Sequence, residues 1–95
     1  HTIEYYMDNV RMMRRILSSL NLRIYGGEHI PYLWIKIPKK MSSWEFFDSM
    51  LYVAKVVCTP GVVFGPGGEG YVRLSAFAKR QDCENAARRL KDWLE

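Results

Sequence analysis

The run Gly65-Pro66-Gly67-Gly68-Glu69-Gly70 leads straight into Tyr71-Val72-Arg73-Leu74-Ser75-Ala76-Phe77, where Arg73 is the one cation. A guanidinium offers two parallel bonds to a carboxylate, which an ammonium cannot match. Glycines ahead of it permit positive φ and close approach of a ligand or a second domain. Two readings of Arg73 stand at this point: a grip on a ligand carboxylate, or a surface arginine, free or paired with an acid such as Glu69. The glycines themselves are not a phosphate cradle of a known kind. No Lys-Ser or Lys-Thr follows them, and a strand pattern follows where a dinucleotide fingerprint would open a helix.

The remaining reactive side chains are sparse. His29, in Gly26-Gly27-Glu28-His29-Ile30-Pro31-Tyr32, has no second ligand at metal spacing. No Gly-x-Ser-x-Gly context for a nucleophile is present. Cys58 and Cys83 lack Cys-x-x-Cys spacing, and both are expected to be reduced packing thiols of a cytoplasmic protein. Lys36, Lys39, Lys40 and Lys55 read as surface lysines. These residues alone do not make an enzyme that works unaided, and no catalytic, cofactor-binding or metal-binding residue is assigned to this chain.

With 95 residues the chain is one small domain, 1–95. It is 48% hydrophobic and 25% charged, which is globular composition and excludes a disordered chain. The longest apolar run, broken by Lys55, is too short to span a bilayer, and no membrane partner is expected. The net charge of +4 comes largely from arginines near the two ends, which read as solvated helix faces. No basic patch with interleaved aromatics marks a nucleic-acid partner. The sequence opens at His1 and enters helical pattern at once, so a fragment, a processed product or a tagged piece is expected.

The elements that must position Arg73 follow from periodicity. Residues 2–20 carry apolar side chains at helical spacing, with Asn21 as the stop. Leu22–Tyr25 reads as a strand, and Tyr32–Ile37 alternates with Leu33, Ile35 and Ile37 on one face and Tyr32, Trp34 and Lys36 on the other. Ser42 and Glu45 have reciprocal capping spacing ahead of a helix whose inward face is read as Trp44, Phe47, Leu51 and Ala54. Residues 56–61 form a third strand and Tyr71–Phe77 a fourth. Residues 81–94 make a last helix, with Cys83, Ala86, Ala87, Leu90 and Leu94 inward. The order α-β-β-α-β-β-α defines an α+β fold, a small mixed or antiparallel four-stranded sheet with helices packed on one face. Val72, Leu74 and Ala76 then belong under the helices, and Arg73 shares the opposite face with Tyr32 and Trp34. A bare face of that kind is one meant to meet something.

Three separated segments taken in order, GGEHIPYLWIKIP, MSSWEFFDSML and VVCTPGVVFGPGGEGYVRLSAF, resemble the C-terminal segment of class I/II, fold-type I aminotransferases, which depend on pyridoxal 5'-phosphate. Within them the likeness is to the LL-diaminopimelate aminotransferase family, and it covers essentially the whole chain. The resemblance implies that Arg73 binds the substrate α-carboxylate and that Gly61, Phe64 and Gly65 shape a mobile loop near the substrate. It implies an amino-acid or keto-acid substrate, a homodimeric parent and a large domain, outside this chain, that holds the pyridoxal phosphate and its lysine. The implied parent reaction moves an amino group between glutamate and a tetrahydrodipicolinate-derived keto acid in lysine biosynthesis. His29 and Ile30 stand where that family has Asn and Ala, and Val62 and Val63 where it has Ser and Gly. Another class I/II aminotransferase, or a freestanding binding module using the Tyr32, Trp34 and Arg73 face, are the alternatives.

Overall fold

The computed structural model describes residues 1–95. Helix α1 spans Ile3–Leu17; the Thr2 hydroxyl accepts from the Tyr5 amide at its start, and Arg14 and Arg15 lie in its last turn. It stops three residues short of Leu20, and the chain turns into strand β1, Ile24–Gly26. Strand β2 is Tyr32–Lys36, helix α2 Ser43–Ser49, strand β3 Thr59–Pro60, strand β4 Tyr71–Ser75 and helix α3 Arg80–Leu94. The expected element order holds.

The sheet is antiparallel throughout, in the order β1-β2-β4-β3. Its helix-covered face carries Leu33, Ile35, Val72 and Leu74, all fully or nearly fully buried with Val10, Met13 and Leu17 of α1 and Cys83, Ala87 and Leu90 of α3. Burial of these side chains, at about 1.5–3 kcal/mol each, is the main favourable contribution to the fold. One polar residue joins them. Asn9 is buried, its amide donates to the carbonyls of Ala76 and Ala78, and its oxygen accepts from Arg80 Nε at 3.0 Å. That satisfied amide pins α1 to the exit of β4. At the free edge of β1, Arg14 donates to the carbonyls of Ile24 and Gly26, which blunts an exposed row of acceptors.

Helix α2 begins where the Ser42/Glu45 spacing placed it, with both reciprocal bonds made. The Ser42 amide and hydroxyl hold the Glu45 carboxyl below its ordinary value. Of the helix's expected inward face, Trp44, Phe47, Leu51 and Ala54, only Ala54 is buried, and a different stripe turns to the core. Ser43, Phe46, Met50 and Ala54 are buried, whereas Trp44 is 52% exposed and Phe47 and Leu51 are only partly buried. Two apolar stripes compete on this helix, and the stripe carrying the flexible Met50 and the unencumbered Phe46 fits beneath Trp93 of α3, ring centroids 5.2 Å apart.

From Met50 to Ala54 the helix widens into a π-helical turn and ends at Lys55, whose φ of 60° and ψ of 37° lie in the left-handed region. That conformation costs a non-glycine residue about 1 kcal/mol. Lys55→Gly is therefore expected to stabilise the chain by up to about that amount, read as a higher urea midpoint at unchanged slope. A lower midpoint would show that the Lys55 side chain matters more than its backbone strain. Strand β3 is also shorter than the expected 56–61: only Thr59 and Pro60 pair with β4, because Val57 points to solvent and Gly61 begins a 3-10 turn. In α3, Cys83, Ala87 and Leu90 are fully buried, while Ala86 and Leu94 pack at the margin of the core.

Both cysteines are free and buried. Burial pushes the Cys58 thiol up to about 12, and burial with the nearby Asp82 charge raises Cys83. Because the native value lies above the unfolded one, Cys58 contributes stability that is intact below pH about 9 and is lost as pH climbs toward 12. The fall in urea midpoint between pH 8 and pH 10 should be smaller in Cys58→Ala than in the parent chain. An equal fall in both would remove Cys58 from the alkaline transition.

Candidate functional site

The open face of the sheet is organised by strand register. Tyr25 pairs with Trp34, Trp34 with Arg73, and Arg73 with Thr59, so one residue from each strand forms a row across all four. Tyr32 sits diagonally from Arg73 on β2, within reach of a long side chain. The guanidinium carbon of Arg73 lies 3.9 Å from the centroid of the Tyr32 ring and 4.5 Å from that of Phe64. The Arg73 guanidinium thus contacts two aromatic rings, each worth about 0.5–2 kcal/mol as a cation–π contact.

The edge of the guanidinium is a different matter. Its Nε is buried and has no hydrogen-bond partner. The ion pairs of the chain involve Arg11, Arg80, Arg88 and Lys91, and none involves Arg73. A buried unpaired donor of a charged group costs about 1–3 kcal/mol or more and calls for an acceptor from elsewhere. Glu69, the acid considered as its partner from sequence, is engaged otherwise. Its carboxylate accepts from the Ser43 amide at 2.9 Å and from the Ser43 hydroxyl at 2.8 Å. The pairing of Arg73 with Glu69 is therefore overturned, because the start of α2 offers that carboxylate two donors.

Gly61 and Gly68 form the neck of the loop between β3 and β4. A Cβ added to Gly61 would lie 2.0 Å from the Gly68 carbonyl oxygen, and one added to Gly68 would lie 2.0 Å from the Gly61 oxygen, so only glycine fits at either. Beyond the neck two 3-10 turns, Gly61–Phe64 and Pro66–Gly68, meet at Gly65, whose φ of +127° suits glycine. Phe64 leans back from this loop onto Arg73 and onto the edge of Trp34, 5.3 Å between ring centroids. Between Tyr25, Trp34, Phe64 and Tyr71 opens a cleft of about 440 Å³, floored by Gly67 and Gly68. Gly61, Phe64, Gly65 and Arg73, singled out from sequence, therefore belong to one structural unit.

His29 and Ile30 lie exposed in the turn before β2, Val63 is exposed at the loop tip and Val62 half-buried. The Glu69–Ser43 clasp and the stacking of Phe64 were not read from sequence. Both join residues far apart in the chain, and no local spacing signals either.

No protein-family model matches the chain. Its fold is that of an aminotransferase small domain. It superposes on LL-diaminopimelate aminotransferase from Chlamydomonas reinhardtii with a TM-score of 0.90 and 35% identity, covering 97% of this chain and 22% of that one. On the aromatic aminotransferase from Pyrococcus horikoshii the TM-score is 0.87 at 28% identity, covering 96% and 25%. In sequence the chain matches a segment of LL-diaminopimelate aminotransferase: it is 58% identical over 92 residues to that protein from Phocaeicola vulgatus, 97% of this chain and 22% of its relative. The chain thus spans less than a quarter of the length of the curated relatives it matches. No helix is long and apolar enough to cross a membrane.

Proposed function

We propose that residues 1–95 are the C-terminal small domain of a longer aminotransferase of the LL-diaminopimelate type, and that Arg73 binds the substrate α-carboxylate. The reading rests on one observation above others: the Arg73 guanidinium lies against the Tyr32 and Phe64 rings and is engaged by no acid of the chain. Contact with two rings restricts the guanidinium, so less ordering is needed when its fork donates to a carboxylate. The apolar walls lower the local dielectric and strengthen that pair. Phe64 and the loop from Gly61 to Gly65 cover it from water.

In an aminotransferase pyridoxal phosphate supplies the electron sink for amino transfer. The open face of this sheet does not fit that cofactor by itself. Its one lysine is Lys36, exposed at the end of β2, where it lines a surface pocket with Asn21 and Arg23 and not the aromatic cleft of Tyr25, Trp34, Phe64 and Tyr71. The cofactor and its lysine therefore fall to the remainder of the parent, and this chain contributes carboxylate binding, orientation and exclusion of water. The parent reaction on this reading is amino transfer between glutamate and a tetrahydrodipicolinate-derived keto acid.

The full-length protein, supplied with pyridoxal phosphate, LL-diaminopimelate and 2-oxoglutarate, is expected to release glutamate. Glutamate formed from an aromatic amino acid but not from LL-diaminopimelate would overturn the substrate and keep the reaction class. No amino transfer from either would overturn both.

A further inference from the structure

We infer that Glu69 is a positioning residue: by clasping Ser43 it sets the glycine loop so that Phe64 closes over Arg73 and holds the guanidinium ready for a carboxylate. The inference rests on the carboxylate-binding reading of Arg73 and goes beyond it by assigning a role to a residue that touches neither Arg73 nor its ligand.

Four observations combine. Ser43 is fully buried, and both its amide and its hydroxyl are spent on the two oxygens of Glu69, at 2.9 and 2.8 Å. Glu69 directly follows Gly68, which is locked backbone to backbone against Gly61. The neck of the loop is thus fixed to the first turn of α2, a helix packed on the hydrophobic core through Phe46 and Met50. The loop above the neck has few other ties: its tip residues Val63 and Phe64 are 56% and 51% exposed. Phe64 reaches Arg73 at 4.5 Å and Trp34 at 5.3 Å only while the neck stays where it is.

In the clasp the Ser43 amide and hydroxyl donate to the two oxygens of one carboxylate. A glutamine can keep both bonds, its oxygen accepting from the amide and its NH2 donating to the hydroxyl oxygen, so it is truncation to alanine that removes the clasp. An aspartate has the right oxygens on a stem one carbon shorter. Loss of the clasp frees the loop and the Phe64 ring, and a guanidinium free to swing gives up part of the ordering already present. Displacement of a binding group by about 1 Å costs up to a hundred-fold in rate.

The test uses the full-length protein in four forms: parent, Glu69→Ala, Ser43→Ala and Arg73→Ala. Two quantities are read. The first is the dissociation constant of succinate, a dicarboxylate with no amino group to transfer, followed by the Arg73 Nε–H resonance in arginine-labelled protein. The second is the ratio of kcat/KM for glutamate to kcat/KM for 4-aminobutyrate, which is glutamate without its α-carboxylate. Glu69→Ala is expected to weaken succinate about ten-fold and to lower the ratio about ten-fold. Ser43→Ala, which keeps the amide donor and loses the hydroxyl, is expected to do the same to a smaller extent. In Arg73→Ala, which lacks that resonance, the ratio should collapse toward one. If Arg73→Ala collapses the ratio while Glu69→Ala leaves both quantities unchanged, Glu69 has no positioning role and the Arg73 reading stands. If Glu69→Ala lowers activity on both substrates equally and leaves succinate binding intact, its role is structural only and the inference fails. If Arg73→Ala itself leaves the ratio unchanged, the carboxylate reading fails first.

Discussion

Arg73→Ala in the full-length protein is expected to lose about two to four decades in kcat/KM for glutamate, about 3–5 kcal/mol of transition-state stabilisation. The magnitude follows from the environment. The guanidinium is stacked on Tyr32 and Phe64 with its Nε buried, so a carboxylate bound there is paired in a poorly solvated site. Removing one partner of such a pair leaves the other charge uncompensated. Arg73→Lys keeps the charge and loses the fork, and it should recover little. Activity on 4-aminobutyrate should change far less, since that substrate lacks the group Arg73 is proposed to hold. The fold should survive in both variants, because Arg73 lies outside the helix-covered core and its ring contacts are worth only about 0.5–2 kcal/mol each. Equal losses on both substrates, or an unfolded protein, would refute the role.

The second large effect concerns the core. Phe46→Ala is expected to cost about 3–5 kcal/mol, as deletions of buried aromatic rings do. Phe46 is fully buried in the core and its ring packs on Trp93. Set against a total stability of about 5–15 kcal/mol for a small domain, that loss removes a large share of it and should lower the urea midpoint strongly. Trp44→Ala, two positions away, should cost less than about 1 kcal/mol, since its indole is 52% exposed and rests mainly on Phe47. Urea unfolding of the two variants decides between the phases of α2. A larger loss from Trp44→Ala would restore the phase read from periodicity.

That helix shows where the sequence stops being legible. Its start is encoded within four residues, Ser42 to Glu45, and could be read directly. Its phase depends on which of two apolar stripes finds a partner in α3, and that partner is some forty positions away. The strands follow the same division. Alternation in Tyr32–Lys36 and Tyr71–Ser75 placed Leu33, Ile35, Val72 and Leu74 under the helices and Arg73 opposite, all as found. Residues 56–58 are apolar enough to read as strand, yet Lys55 in the left-handed region turns the chain, and only Thr59 and Pro60 reach β4. At the candidate site, Arg73 and its glycines are local signals. The engagement of Glu69 by Ser43 spans 26 positions, and nothing near Glu69 distinguished it from a partner for Arg73.

The proposed role of Arg73 is tested most directly by a crystal structure of the full-length protein with a bound amino-acid substrate. The expected result is a substrate α-carboxylate in the plane of the Arg73 guanidinium, two N–H···O contacts of about 2.7–2.9 Å, with Phe64 closed over them. A structure in which a carboxylate from elsewhere in the protein fills that edge, and the substrate carboxylate lies against another cation, would contradict it.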